Sequence, residues 1–136
     1  MRKVQVLISI APDGFYTAYC EDHPAIFGGG DTPAEAIEEL RETIRLDKEL
    51  GDKAAIYPDW FDEEYEFVVG WDIEDLMAYY AGIITPAALS RLSGIHPKQI
   101  WAYMHGKSKP RKAQLQKMED ALHKLGAELT HLSICA

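Results

Sequence analysis

The sequence predicts an α+β chain in two parts: a small ββ(β)αβ domain over residues 1–71, and an all-α helix-turn-helix domain over 72–136 that closes with a short strand. Three observations lead there. Apolar residues alternate with a period of two at both ends of the first part, and after Trp71 the period lengthens to about 3.6. The charge changes at the same place. Residues 1–71 carry 6 Lys+Arg against 16 Asp+Glu, a net −10, whereas 72–136 carry 8 against 6, a net +2.

Taken in order, Val4, Val6, Ile8 and Ile10 alternate with Lys3, Gln5, Leu7 and Ser9, as in a strand with one buried face. Pro12-Asp13-Gly14 turns the chain and Phe15–Cys20 returns it, so the opening is a hairpin, extended by a short third strand near Ile26–Phe27. Thr32-Pro33-Ala34-Glu35 has the cap threonine, first-turn proline and glutamate three residues on that start a helix. Its apolar positions are Ala36, Ile37, Leu40, Ile44 and Leu50, and Gly51 stops it. Residues 52–64 mix Pro58 and acids with Tyr57, Trp60 and Phe61, aromatics suited equally to packing and to partner contact. Tyr65, Phe67, Val69 and Trp71 alternate as the last strand of this domain. Beyond it, glycines at 82, 94, 106 and 126 punctuate helices, and Leu129–Ile134 reads as a short strand able to pair between subunits.

With 47% hydrophobic residues in a chain of 136, packed cores are expected, not disorder. No run reaches the roughly 18 apolar residues of a membrane span, and the strand-like N-terminus has no cleavage site, which points to the cytoplasm. Cys20 and Cys135 have no metal-binding or redox spacing and read as two reduced thiols.

The informative run is Thr85–Pro110. Thr85 caps a helix begun by Pro86, Leu89 and Leu92 face inward, small Ser90 permits close helix contact, and Gly94 permits a sharp turn. A second helix opens at His96-Pro97, buries Ile100 with Tyr103 or Met104, and closes at Gly106. Lys98, Gln99, Trp101 and Ala102 then face outward, where a second helix can enter the major groove and read bases. Lysine can donate to guanine, glutamine can pair with adenine, and alanine can touch a thymine methyl. Thr85, His96, Lys107, Lys109, Arg111 and Lys112 are the candidates for backbone phosphate. Between Asp75 and Glu119 there are seven cations and no acid, a local field that attracts phosphate despite the overall −8. Reading enough bases for specificity requires two modules on a palindromic operator, so a homodimer or higher even-numbered oligomer is expected.

The capped helix, Leu-small-x-x-x-Gly, the second helix, Gly-x-x-x-Pro and the leucine-rich helix with Leu115, Met118, Leu122 and Leu125 resemble the Cro/C1 (xenobiotic response element type) helix-turn-helix, departing from it at His96 and Pro97. The first half is similar to HicB-type antitoxins at Gly30-Asp31-Thr32-Pro33-Ala34-Glu35-Ala36. This resemblance implies a partial ribonuclease-H-like fold and two jobs: neutralising a HicA-type mRNA-cleaving toxin, and repressing the operon that encodes both. Glu21, Asp22, His23, Trp60 and Phe61 are the toxin-binding candidates. The acidity of residues 1–71 fits a basic partner.

Competing readings are weaker on chemical grounds. Asp13, Glu21, Asp22 and Asp31 are carboxylates of the kind that hold nuclease metals, but most lie in turns and no fixed motif links them. Gly28-Gly29-Gly30 lacks the Lys-Ser/Thr of a phosphate-binding loop, and the five histidines show no zinc spacing. No enzyme activity, metal or cofactor is expected. The alternative is a stand-alone transcriptional regulator whose first domain dimerises or senses a ligand.

Overall fold

The alternation of Val4, Val6 and Ile8 with polar and half-buried neighbours produces β1 (Arg2–Ile10), which pairs antiparallel with β2 (Tyr16–Cys20). β2 pairs antiparallel with β3 (Phe27–Gly30), and β4 (Tyr65–Trp71) lies parallel to β1 on its other side. The sheet order is β3-β2-β1-β4. The computed structural model describes residues 1–136 and is a mixed α+β chain of one four-stranded mixed sheet and five helices. It divides into two compact units, Met1–Asp75 and Leu76–Ala136.

In the first unit α1 (Pro33–Leu50) starts where the chain satisfies its own orphan amides: Thr32 Oγ1 accepts from the Glu35 amide at 3.1 Å and the Glu35 carboxylate accepts from the Asp31 amide at 2.9 Å. Ala36, Leu40 and Ile44 form its buried stripe. The helix lies almost against β3, since a Cβ at Gly28 would stand 2.2 Å from the Leu40 amide nitrogen. Only glycine allows that approach.

The core of this unit lies on one face of the sheet. Val4, Val6, Ile8, Ala18 and Cys20 point at Ala36, Leu40 and Ile44, with Ile26 and a 3₁₀ turn at Asp59–Asp62 filling the remainder. That turn corrects a sequence expectation. Trp60 is 4% exposed and Phe61 fully buried, so neither offers its side chain to a partner. The cause is aromatic packing that spacing alone does not reveal: Trp60 meets Phe61 and Tyr65 edge-on, with ring centroids 4.9 and 5.0 Å away. Arg41 covers the outer part of the cluster, 4.5 Å above the Phe67 ring. Burial, aided by Asp22, pushes the Cys20 thiol up to about 11, which favours its protonated form at neutral pH.

The opposite face follows from the registers. Leu7, Tyr19 and Phe27 form one row across β1, β2 and β3, with Gln5 beside Val68 and Ser9 beside Thr17 and Gly29. Phe27 is 54% and Val68 40% exposed, and the Phe15 ring lies over Gly29.

α2 (Ile73–Tyr79) spans the division between the units. The second unit continues with α3 (Pro86–Ser93), α4 (Pro97–Met104) and α5 (Lys112–His131), its interior built from Met77, Leu89, Ser90, Ile95, Ile100, Tyr103 and Met118. Two expectations are corrected here. The chain is helical through Gly126 to His131, so neither a stop at Gly126 nor a strand at Leu129–Ile134 forms. Ala127, Glu128 and Leu129 favour helix, and a single interior glycine costs only about 1 kcal/mol. Leu115 is 45% exposed despite its core spacing, because α5 packs chiefly on the eight-residue α3, which is too short to cover its whole apolar stripe.

Candidate nucleic-acid interface

The site is assembled by the turn between α3 and α4. Thr85 Oγ1 accepts from the Ala88 amide at 3.0 Å and so starts α3, and Gly94 ends it in the left-handed region at φ 77°. Ser90 does more than leave room. Its hydroxyl is buried and donates to the Ile95 carbonyl at 2.6 Å, fastening the turn to α3 while Ile95 itself is buried. Ser93 Oγ donates to Leu89 O at 2.6 Å within α3 and accepts from the Ile95 amide at 3.3 Å, adding a second tie to the turn. The polar role of Ser90 was not legible from its small size.

α4 begins at His96, whose Nδ1 accepts from the Lys98 amide at 3.1 Å. With Nδ1 occupied as an acceptor, the proton of the neutral ring sits on Nε2 and is available as a donor. Ile100 and Tyr103 are buried, which fixes the rotation of the helix. Lys98 and Trp101 are exposed, while Gln99 and Ala102 are half-buried. Of the four base-reading candidates, Lys98 and Trp101 therefore lie on the open side of α4, whereas Gln99 flanks the buried stripe and Ala102 is partly covered. Gln99 Nε2 reaches Ser108 Oγ at 3.5 Å, a long contact that a better acceptor would displace.

α4 ends in paired bonds from Lys107 N to Ala102 O at 2.9 Å and from Gly106 N to Tyr103 O at 3.4 Å, around Gly106 at φ 69°. This closure starts the basic loop directly beside the outward face of α4. Lys107, Lys109, Arg111 and Lys112 are exposed. The ion pairs of the chain involve Arg2, Arg41, Arg45 and His123, so these loop cations are uncommitted. Arg111 precedes α5 without a side-chain cap, leaving first-turn amides open to an anion.

Comparison with protein-family models, curated proteins and solved structures gives no match. The physical features of the site therefore carry its reading.

One of those features was missed in the sequence. His105 stacks on Trp101, centroids 4.2 Å apart and planes 22° from parallel, and its Nδ1 lies 2.8 Å from the Trp101 carbonyl. Their spacing of four residues was the available signal. The stack holds an indole that is 51% exposed in a defined orientation on the outer face of α4.

In the first unit, Glu21 and Asp22 are exposed and His23 half-buried in the turn after β2, where His23 N bonds Cys20 O at 3.2 Å. No group of three His, Cys, Asp or Glu side chains converges to hold a metal ion, and Asp13, Glu21, Asp22 and Asp31 are not gathered into one. A shallow groove of about 440 Å³ lies beside Arg41, Arg45, Lys48 and Tyr65. Arg45 is engaged there by Glu42 and Glu49, and it holds the Glu42 carboxyl below its ordinary range. No helix is long and apolar enough to cross a membrane.

Proposed function

We propose that the chain is a cytoplasmic antitoxin-repressor. Its C-terminal part is a helix-turn-helix domain that reads a palindromic operator as a homodimer or higher even-numbered oligomer. Its N-terminal part is a ββ(β)αβ, partly ribonuclease-H-like domain that neutralises a basic, HicA-type RNA-cleaving toxin. Neither part performs catalysis.

The observation that carries the reading is the composition of one surface: exposed Lys98 and Trp101 on α4 with half-buried Gln99 and Ala102 beside them, continued by Lys107, Lys109, Arg111 and Lys112. Such an arrangement combines groups that match base edges with groups that match phosphate. Thr85 caps α3 and keeps its hydroxyl proton free, and His96 offers Nε2–H, so both suit the flanking backbone. Charge separates the two jobs. Counted at the division between the units, residues 1–75 carry 6 Lys+Arg and 19 Asp+Glu, whereas 76–136 carry 8 and 3. The first repels nucleic acid and attracts a basic protein, and the second does the reverse.

Co-expression with the flanking reading frames, followed by purification through a tag on this chain, tests both parts together. The expected product contains a short basic protein, and it protects a two-fold symmetric stretch of its own upstream DNA from nuclease. Protection without a co-purifying protein removes the antitoxin role and leaves a stand-alone regulator. Absence of protection removes the repressor role.

A further inference from the structure

The face of the sheet opposite α1 has no helix of its own unit upon it, and it is not a polar surface. Leu7, Tyr19 and Phe27 make a continuous apolar row across three strands, with Phe15 over Gly29 at one end and Val68 at the other. Gly70 completes the row beside Leu7, where a side chain would collide with Gln5 and Leu7. At ordinary strand spacing and rise, the face measures roughly 300 Å². That is the apolar centre of a standard interface, which covers about 800 Å² per partner with a polar rim.

The rim is acidic. The Glu21 amide bonds the Gln5 carbonyl at 3.0 Å and so continues the alternation past Cys20, which places Glu21 on the same side as Tyr19. Glu66 lies opposite Lys3 in the β1–β4 register, both on the same side as Val68, and Asp13 stands beside Phe15, so the rim holds three acids and one lysine. With the rim net acidic, a second copy would bring mostly acid against acid, and nucleic acid would be repelled. A flat apolar centre inside an acidic rim fits a partner with the reverse charge.

We infer that this open sheet face is the docking surface for a small basic protein, with Phe27, Tyr19, Leu7 and Val68 as its apolar anchors and Glu21 and Glu66 as its charge selectors. The inference rests on the partner half of the proposed function and gives it an address, moving the contact from Trp60 and Phe61 to the other side of the sheet.

The test uses the full chain and the short basic protein encoded by its flanking reading frame. Phe27→Glu/Val68→Glu alters two exposed positions. It is expected to weaken the complex by about thirty-fold or more, as loss of interface anchors does. Leu46→Glu, on the exposed side of α1, is expected to change it less than about two-fold, as peripheral surface substitutions do. Equal unfolding midpoints for all three chains exclude misfolding, and Glu21→Lys/Glu66→Lys provides a second route by slowing association. Unchanged affinity in both double variants overturns the assignment while leaving the partner reading intact. A wild-type chain that binds no flanking product overturns both. Loss of self-association in Phe27→Glu/Val68→Glu, without loss of partner, identifies the face as a contact between copies and also overturns it.

Discussion

Replacing Lys98 and Gln99 together by alanine is expected to erase the preference of the chain for its own promoter over unrelated DNA, by a factor of about 100 or more. Each residue that pairs bidentately with a base edge contributes about 1–3 kcal/mol of discrimination, and a two-fold oligomer presents each residue twice. Stability is expected to change little, since Lys98 is exposed and the Gln99 side chain makes only the long contact to Ser108. Lys107→Ala/Lys109→Ala gives the contrasting result. If these loop cations meet phosphate as proposed, affinity is expected to fall for promoter and unrelated DNA alike, and the salt dependence to become shallower by about 2 log units per log unit of salt for each subunit. Fluorescence anisotropy with both duplexes distinguishes the outcomes, and a Lys98/Gln99 variant that keeps its preference would place the reading surface elsewhere.

Phe61→Ala is expected to destabilise the N-terminal unit by about 3–5 kcal/mol, the range for truncating a buried phenylalanine. Phe61 is fully buried and touches Tyr57 and Trp60 edge-on, so the deletion leaves a cavity inside the aromatic cluster as well as losing its transfer free energy. Urea unfolding followed by fluorescence of Trp60 and Trp71 reads the effect. A loss under about 0.5 kcal/mol, typical of surface positions, would return Phe61 to the role of an exposed anchor.

The contrast between these two sites explains what the sequence discloses. Local features were legible because their causes lie within four or five residues: the β1 alternation, the Thr32 and Thr85 caps, and the glycines ending α1, α3 and α4. On α4 the exposure of Lys98 and Trp101 was legible for the same reason, but the half-burial of Gln99 and Ala102 was not. Trp60 and Phe61 were not, because their burial depends on β1 and α1, ten to fifty or more residues away in the chain. The C-terminal end failed differently. Leu129, Leu132 and Ile134 alternate poorly but are apolar, and only the continued backbone bonding of α5 decides for helix over strand up to His131. The parallel pairing of β1 with β4, which sets the open face, is a choice between registers 63 residues apart that no local pattern records.

The measurement that bears most directly on the central claim is titration of the wild-type chain onto its own upstream DNA and onto a scrambled duplex at two salt concentrations. Tighter binding to the native duplex is expected at both salts, with a log–log salt slope of roughly −3 per subunit from about three to four phosphates neutralised by each. Equal affinity for the two duplexes, or no binding to either, would contradict that claim.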